Sequence, residues 1–476
     1  MTRVVCSRLA VVLFLLVIPR LADSHAFGAR YDLPLPLGLV LMAAGMAVAV
    51  SFLGALVFLR RSDGRTIGFD IAIPAALADA TGSLLGGLGL VALVTVLATA
   101  TFGPPEPTRN LATVMVWILW WVGFLLVSAL VVDLWPAIDP FRRIHLLVSY
   151  MTRQDSERAL AKLPSMAGWL APAGMLAMGW IELVSGWSES PRALAVLVCF
   201  YAVLAACLGV AYGTQWFRLA DPLSRIFELI SRVAPIAVMS HRRLRLRPFG
   251  EGLIDAGPAK PGEVALVACL IATVLFDGIS ETPAWASLLE FVSESRTLRP
   301  VLLSSRDHGV DLLKAIKTLG LVSTVVGFLG LYWLLSFAMR VCSGTLVSTK
   351  TVATALASSL LPIAVAYHLS HYLSYLLLGG QLAAPAASDP FGLGWDLLGT
   401  EGHPIDIGVI GTKQIWWIAV VALVLGHSLS VFVAHRRALV LFGSATPAAR
   451  SQMPMLFAMV GLTMLSLWIL AQPIIA

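Results

Sequence analysis

Charge is scarce in this sequence. Asp, Glu, Lys and Arg make up 13% of its 476 residues, about half the share usual in a soluble domain, whereas 58% are hydrophobic. A water-soluble protein cannot cover that much apolar side chain, and the few charges sit in clusters between long apolar runs. Cysteine is scarce too. Its five residues include no C-x-x-C pair, so neither a zinc ribbon nor a stapled ectodomain is supported. Nucleophile-elbow, Walker, haem-attachment and kinase signatures are all missing. The glycine-rich stretch Gly392-Leu-Gly-Trp-Asp-Leu-Leu-Gly-Thr400 follows no strand and does not read as a nucleotide loop.

What is present is apolar sequence of membrane length. The first stretch is an exception. Arg3 and Arg8 precede a core at Leu9–Ile18 that Pro19 ends, short of the roughly 20 apolar residues a span requires. With Ala22-Asp-Ser24 behind it, residues 1–24 read as a signal peptide and 25–476 as a single transmembrane helical domain with short loops. An uncleaved first helix is the alternative. The fold class expected is all-α, a polytopic bundle of about ten spans, at 36–59, 82–102, 111–134, 166–186, 193–216, 264–283, 315–340, 351–379, 413–434 and 453–473.

Of the 33 lysines and arginines, 21 fall in the alternate connections 60–81, 135–165, 217–263, 340–350 and 435–452, and nine in the opposite segments. The positive-inside rule then puts both mature ends outside a bacterial inner membrane. The net charge of +6 needs no nucleic acid, because the lipid bilayer accounts for it. The basic stretch His241 to Arg247 suits anionic headgroups. The outer connections 284–314 and 380–412 are long enough for lids, and Asp389, Asp396, Glu401, His403 and Asp406 in the second make it an acidic lid that attracts cations or is simply solvated. Asp139-Pro-Phe-Arg-Arg-Ile144 and Asp221-Pro-Leu-Ser-Arg-Ile226 form a short repeat. In each, Asp suits an N-cap and Pro the first helical position, which predicts two short interfacial helices.

Ionisable groups inside apolar helices are costly and invite a functional reading. His368 and His371 stand out, on one helix face at i and i+3. Two neutral imidazoles there can ligate one divalent ion, zinc or copper; as a bland alternative they hydrogen-bond between helices. At 1.5 Å per residue His371 lies about 12 Å and His368 about 16 Å from the outer end of their span, and Asp277 about 9 Å from the end of its own. Asp277 is therefore the expected third ligand, and Glu281, one turn on, a base or an acceptor behind the ligands. Glu182 is shallower, and His427 sits in the other half of its span as a packing residue. Cleavage after Ser24 would expose His25, whose ring and α-amino nitrogens can chelate the same ion; a tolerated start is the plainer alternative.

His25-Ala-Phe-Gly-Ala-Arg-Tyr-Asp-Leu-Pro-Leu-Pro36, Asp139-Pro-Phe-Arg142, Phe276-Asp-Gly-Ile-Ser280, Tyr367-His-Leu-Ser-His-Tyr-Leu-Ser-Tyr375, Gly394 to Thr400, His435-Arg-Arg-Ala-Leu439 and Trp468 to Pro473 carry a likeness. Over most of its length the chain resembles the polytopic bacterial membrane proteins known as fenitrothion hydrolases. That resemblance implies hydrolysis of an apolar organophosphorus triester that releases a substituted phenol. An ion held by His368, His371 and Asp277 would polarise the phosphoryl or thiophosphoryl group and supply hydroxide. Intramembrane histidines and acids fit a transporter or metal-handling permease equally well, and a third reading is a non-catalytic partner of a second membrane subunit.

Overall fold

The computed structural model describes residues 34–59, 67–153, 155–157, 159–240, 242–400 and 402–472. The signal segment 1–24 and His25 lie outside them. In chain order the elements run α1 (Leu37–Phe58), β1 (Phe69–Ala72), α2 (Ala75–Phe102), α3 (Leu111–Leu130), α4 (Pro140–Met151), α5 (Ala167–Ser185), α6 (Pro191–Tyr212) and α7 (Pro222–Ser231). They continue as β2 (Ile236–Ser240), β3 (Arg243–Leu246), α8 (Pro261–Ser280), α9 (Pro283–Glu294), α10 (Arg299–Asp307), α11 (Leu312–Ser343), α12 (Thr349–Ser388), α13 (Thr412–Phe442) and α14 (Ala445–Leu470).

Ten of these helices are long and apolar enough to cross a membrane: α1, α2, α3, α5, α6, α8 and α11 to α14. The protein is thus an all-α polytopic membrane bundle, and its spans fall where the apolar runs put them. The largest departures are at ends. α12 continues through a 3-10 turn at Gly380–Leu382 to Ser388, α13 runs on to Phe442, and α14 starts at Ala445 rather than near 453. Polar or small residues at those ends lower hydropathy without breaking the helix.

The chain contacts divide into two compact units, a division the apolar runs do not announce. One comprises the described residues of 1–65, 253–371 and 411–476. At its centre is α8, whose residues Val264 to Phe276 are all buried. A helix apolar on every side can take such a place. Gly426 of α13 faces Ala366 and the Pro362 carbonyl of α12, so the two backbones pack closely through a residue with no side chain. A buried cation also belongs to this unit. Arg437 donates to the carbonyls of Leu253, Ala355, Ala256 and Gly257, binding α13 to two backbone segments.

The other unit comprises the described residues of 66–252 and 372–410. The two repeat copies form capped helices, as expected. Asp139 Oδ1 accepts from the N–H groups of Phe141 at 3.0 Å and Arg142 at 3.2 Å, and Asp221 Oδ2 accepts from Ser224 at 2.9 Å. Within the basic stretch Arg243–Leu246 forms a strand, and His241 lies outside the described residues. β3 lies between β1 and β2, antiparallel to both. Asp70 opposes Arg245 in that ladder and takes its Nε–H at 2.7 Å, while Arg247 donates to the carbonyls of Ser231, Arg232 and Ala234. The acidic connection after α12 is also built by its acids. Asp389 accepts from Leu393 and Gly394, each at 2.9 Å, and Asp396 from Thr400 at 2.8 Å and Ser388 at 2.9 Å.

Candidate functional site

Asp277 occupies the last turn of α8 and His371 the middle of α12, and they meet. His371 Nε2 lies 2.9 Å from Asp277 Oδ2. A carboxylate accepts only, so the ring donates from Nε2 and keeps its lone pair on Nδ1. The imidazole side chain is 7% exposed and the carboxylate 16%, so the acid is the more accessible of the two. In such a poorly solvated setting a charge-assisted contact of this length is strong.

Gly278 makes the approach possible. A Cβ there would stand 2.7 Å from Ile469 Cγ2, 3.1 Å from Tyr367 Oη and 3.7 Å from His371 Cε1. Tyr367 is fully packed, and its hydroxyl has no hydrogen-bond partner among the described residues. Asp277 and Glu281 both act on that hydroxyl electrostatically. A buried hydroxyl without an acceptor costs about 1–3 kcal/mol, which suits a donor held for something that arrives. The periodicity did not single out Tyr367; the Tyr-x-x-x-His spacing was the available signal.

The remaining candidates separate. His368 is buried one turn before His371 and senses both His371 and Asp277 electrostatically. Glu281 is the C-cap of α8, half-buried. His427 is buried, its Nδ1 2.8 Å from the Leu423 carbonyl, as a packing histidine should be. Glu182 does not simply reach for water. In the other unit it accepts from the Trp121 indole at 3.1 Å, within a π-helical turn at Ile181–Ser185. Among the described residues no three His, Cys, Asp or Glu side chains are gathered as one ion would need. His371 and Asp277, with His368 one turn away, are the groups the chain itself brings together, and the chemistry below is assigned to them.

No family model matches the sequence, and no curated protein and no solved structure matches it.

Proposed function

We propose that this chain is a membrane-embedded hydrolase of apolar organophosphorus triesters, seated in a bacterial inner membrane with both mature ends outside. The observation that carries the reading is the 2.9 Å contact between His371 and Asp277, with the Tyr367 hydroxyl alongside. It is the base-and-orienter half of a hydrolytic site.

Asp277 fixes the tautomer, and His371 Nδ1 takes a proton from a water as its oxygen bonds to phosphorus. Tyr367 donates to the phosphoryl oxygen or thiophosphoryl sulfur, where negative charge grows. The phosphorus–aryloxide bond breaks opposite the incoming oxygen, and the imidazolium returns its proton to the phenolate. Water and triester become a phosphorus diester anion and a phenol, with one proton released at neutral pH. Such triesters partition into lipid, which concentrates them at a bilayer protein.

The test is phenol release from a dimethyl aryl thiophosphate by the purified full-length chain. Asp277→Asn keeps the shape but alters the tautomer, and should lower kcat by a factor on the order of 10²–10⁴ with little change in KM. His371→Ala should be at least as severe and His368→Ala milder, with a chelator leaving the rate unchanged. Full activity in Asp277→Asn would remove the proposal; loss on chelation would transfer the chemistry to an ion.

A permease is the second reading, favoured by one observation: the acid–imidazole pair lies within spans α8 and α12, where proton relays are found. Proton-coupled uptake by proteoliposomes, abolished in Asp277→Asn and accompanied by no phenol release, would establish it. Activity appearing only with a second membrane protein would indicate a subunit.

A further inference from the structure

The Asp-Pro repeat belongs to none of this chemistry, yet its two copies border two adjoining cavities in the unit of residues 66–252 and 372–410. The larger holds about 930 Å³ and is almost wholly apolar, at the upper end of the roughly 300–1,000 Å³ usual for ligand pockets. The smaller, about 410 Å³, is lined by Asp133, Asp139, Arg142, Arg218, Arg225 and Glu228 among others. Both use Trp135 as wall, and both are lined by successive residues of the same segments. Ile138, Pro140 and Phe141 face the apolar cavity and Asp139 and Arg142 the polar one; likewise Leu223 and Ile226 face the first and Ser224 and Arg225 the second.

The charges of the polar cavity do not cancel. Glu228 is held by Arg225 and by Arg232, the latter at 2.8 Å. Arg142 and Arg218 make no ion pair among the described residues, and Arg142 Nε is buried with no hydrogen-bond partner there. Burial raises Asp133 to about 6; burial, and then the Asp221 carboxylate, raises Asp139 to about 7. Near neutrality Asp139 is therefore only about half ionised and Asp133 mostly so, which with Glu228 leaves the three lining arginines in slight excess.

We propose that the two cavities together bind a phosphate-bearing lipid, its chains in the apolar chamber and its phosphate at Arg142 and Arg218. Guanidinium matches phosphate oxygens in pairs, and basic pockets between spans take anionic headgroups. Size, polarity and charge all change at Trp135, where such a molecule changes from chain to headgroup. The site is independent of the His371–Asp277 pair.

Tryptophan fluorescence reads the binding, because Trp117, Trp120, Trp135 and Trp216 line the apolar chamber. The full-length protein in non-ionic detergent is titrated with dioctanoyl phosphatidic acid, dioctanoylglycerol or inorganic phosphate. Phosphatidic acid should bind saturably, at least about tenfold more tightly than either control. Arg142→Gln should weaken it about tenfold or more, and Arg218→Gln, at an exposed side chain, gives the same test if the first variant misfolds. Ala177→Phe, which fills the chamber, should weaken phosphatidic acid as well. Equal binding of dioctanoylglycerol would reduce the chamber to a groove wetted by bulk lipid, and equal binding of inorganic phosphate would make the ligand a soluble anion. Either result, or indifference to both arginine changes, overturns the proposal.

Discussion

Gly278 illustrates how two small residue-level energies compete. In a helix interior alanine is favoured over glycine by up to about 1 kcal/mol. Against that, the new methyl would stand 2.7 Å from Ile469 Cγ2, and overpacking of this kind costs about 1–3 kcal/mol. Ile469 is itself buried and its branched side chain is stiff at χ1, so it cannot turn away cheaply. Gly278→Ala is therefore expected to lower stability by about 1 kcal/mol and to separate Asp277 from His371 enough to cut hydrolysis more than tenfold. Thermal unfolding in detergent and phenol release measure the two effects. If neither moves, the close packing around Gly278 is not what positions the pair. Arg437 makes the opposite case: its donors satisfy four carbonyls, so the burial of a cation is matched by partners already in place.

At the scale of elements, the capped helices α4 and α7 carry a pH signature. Asp139 titrates near 3.8 when unfolded, and burial together with Asp221 raises it to about 7 in the fold. The folded state thus holds a proton that the unfolded state has already released, and stability should fall as pH rises from about 4 to about 7, then level off. Asp139→Asn keeps a good N-cap but has nothing to titrate, so it should flatten that slope. Unfolding temperatures at pH 5, 6, 7 and 8 decide this; a mutant slope as steep as the wild type would assign the linkage to another group, Asp133 first. These caps were legible because a cap is local: Asp, then Pro, then a helix. The spans were legible because twenty apolar residues have few other fates, and helical rise alone brought Asp277 and His371 to similar depths. The three-stranded sheet was not, since β3 reads as a basic run and its partners lie far away in sequence, as in Arg245 with Asp70, 175 residues apart. Nor was the π-helical turn that sets Glu182 against Trp121, because backbone under-winding of that kind leaves no compositional mark.

For the whole molecule, the decisive quantity is where the polar mass lies relative to the spans. Exposed apolar side chains on α6, such as Val196, Phe200 and Val203, have no place in water, and lipid is the solvent that removes the penalty. Which way the spans run is then a matter of charge. Segments between the spans and at their ends on one side carry 21 of the 33 basic residues and resist translocation, and the proposed orientation keeps them inside. Asp155 lies in one of those segments, whereas Ser304 and His403 lie in the opposite set, and all three are exposed. In spheroplasts, a membrane-impermeant maleimide should label Ser304→Cys and His403→Cys at once, and Asp155→Cys only after permeabilisation. The same pattern would place His371 and Asp277 in the outer half of the bilayer, where a triester arriving from outside meets them first. Labelling of Asp155→Cys alone in sealed cells would invert the molecule and, with it, the side from which any substrate must come.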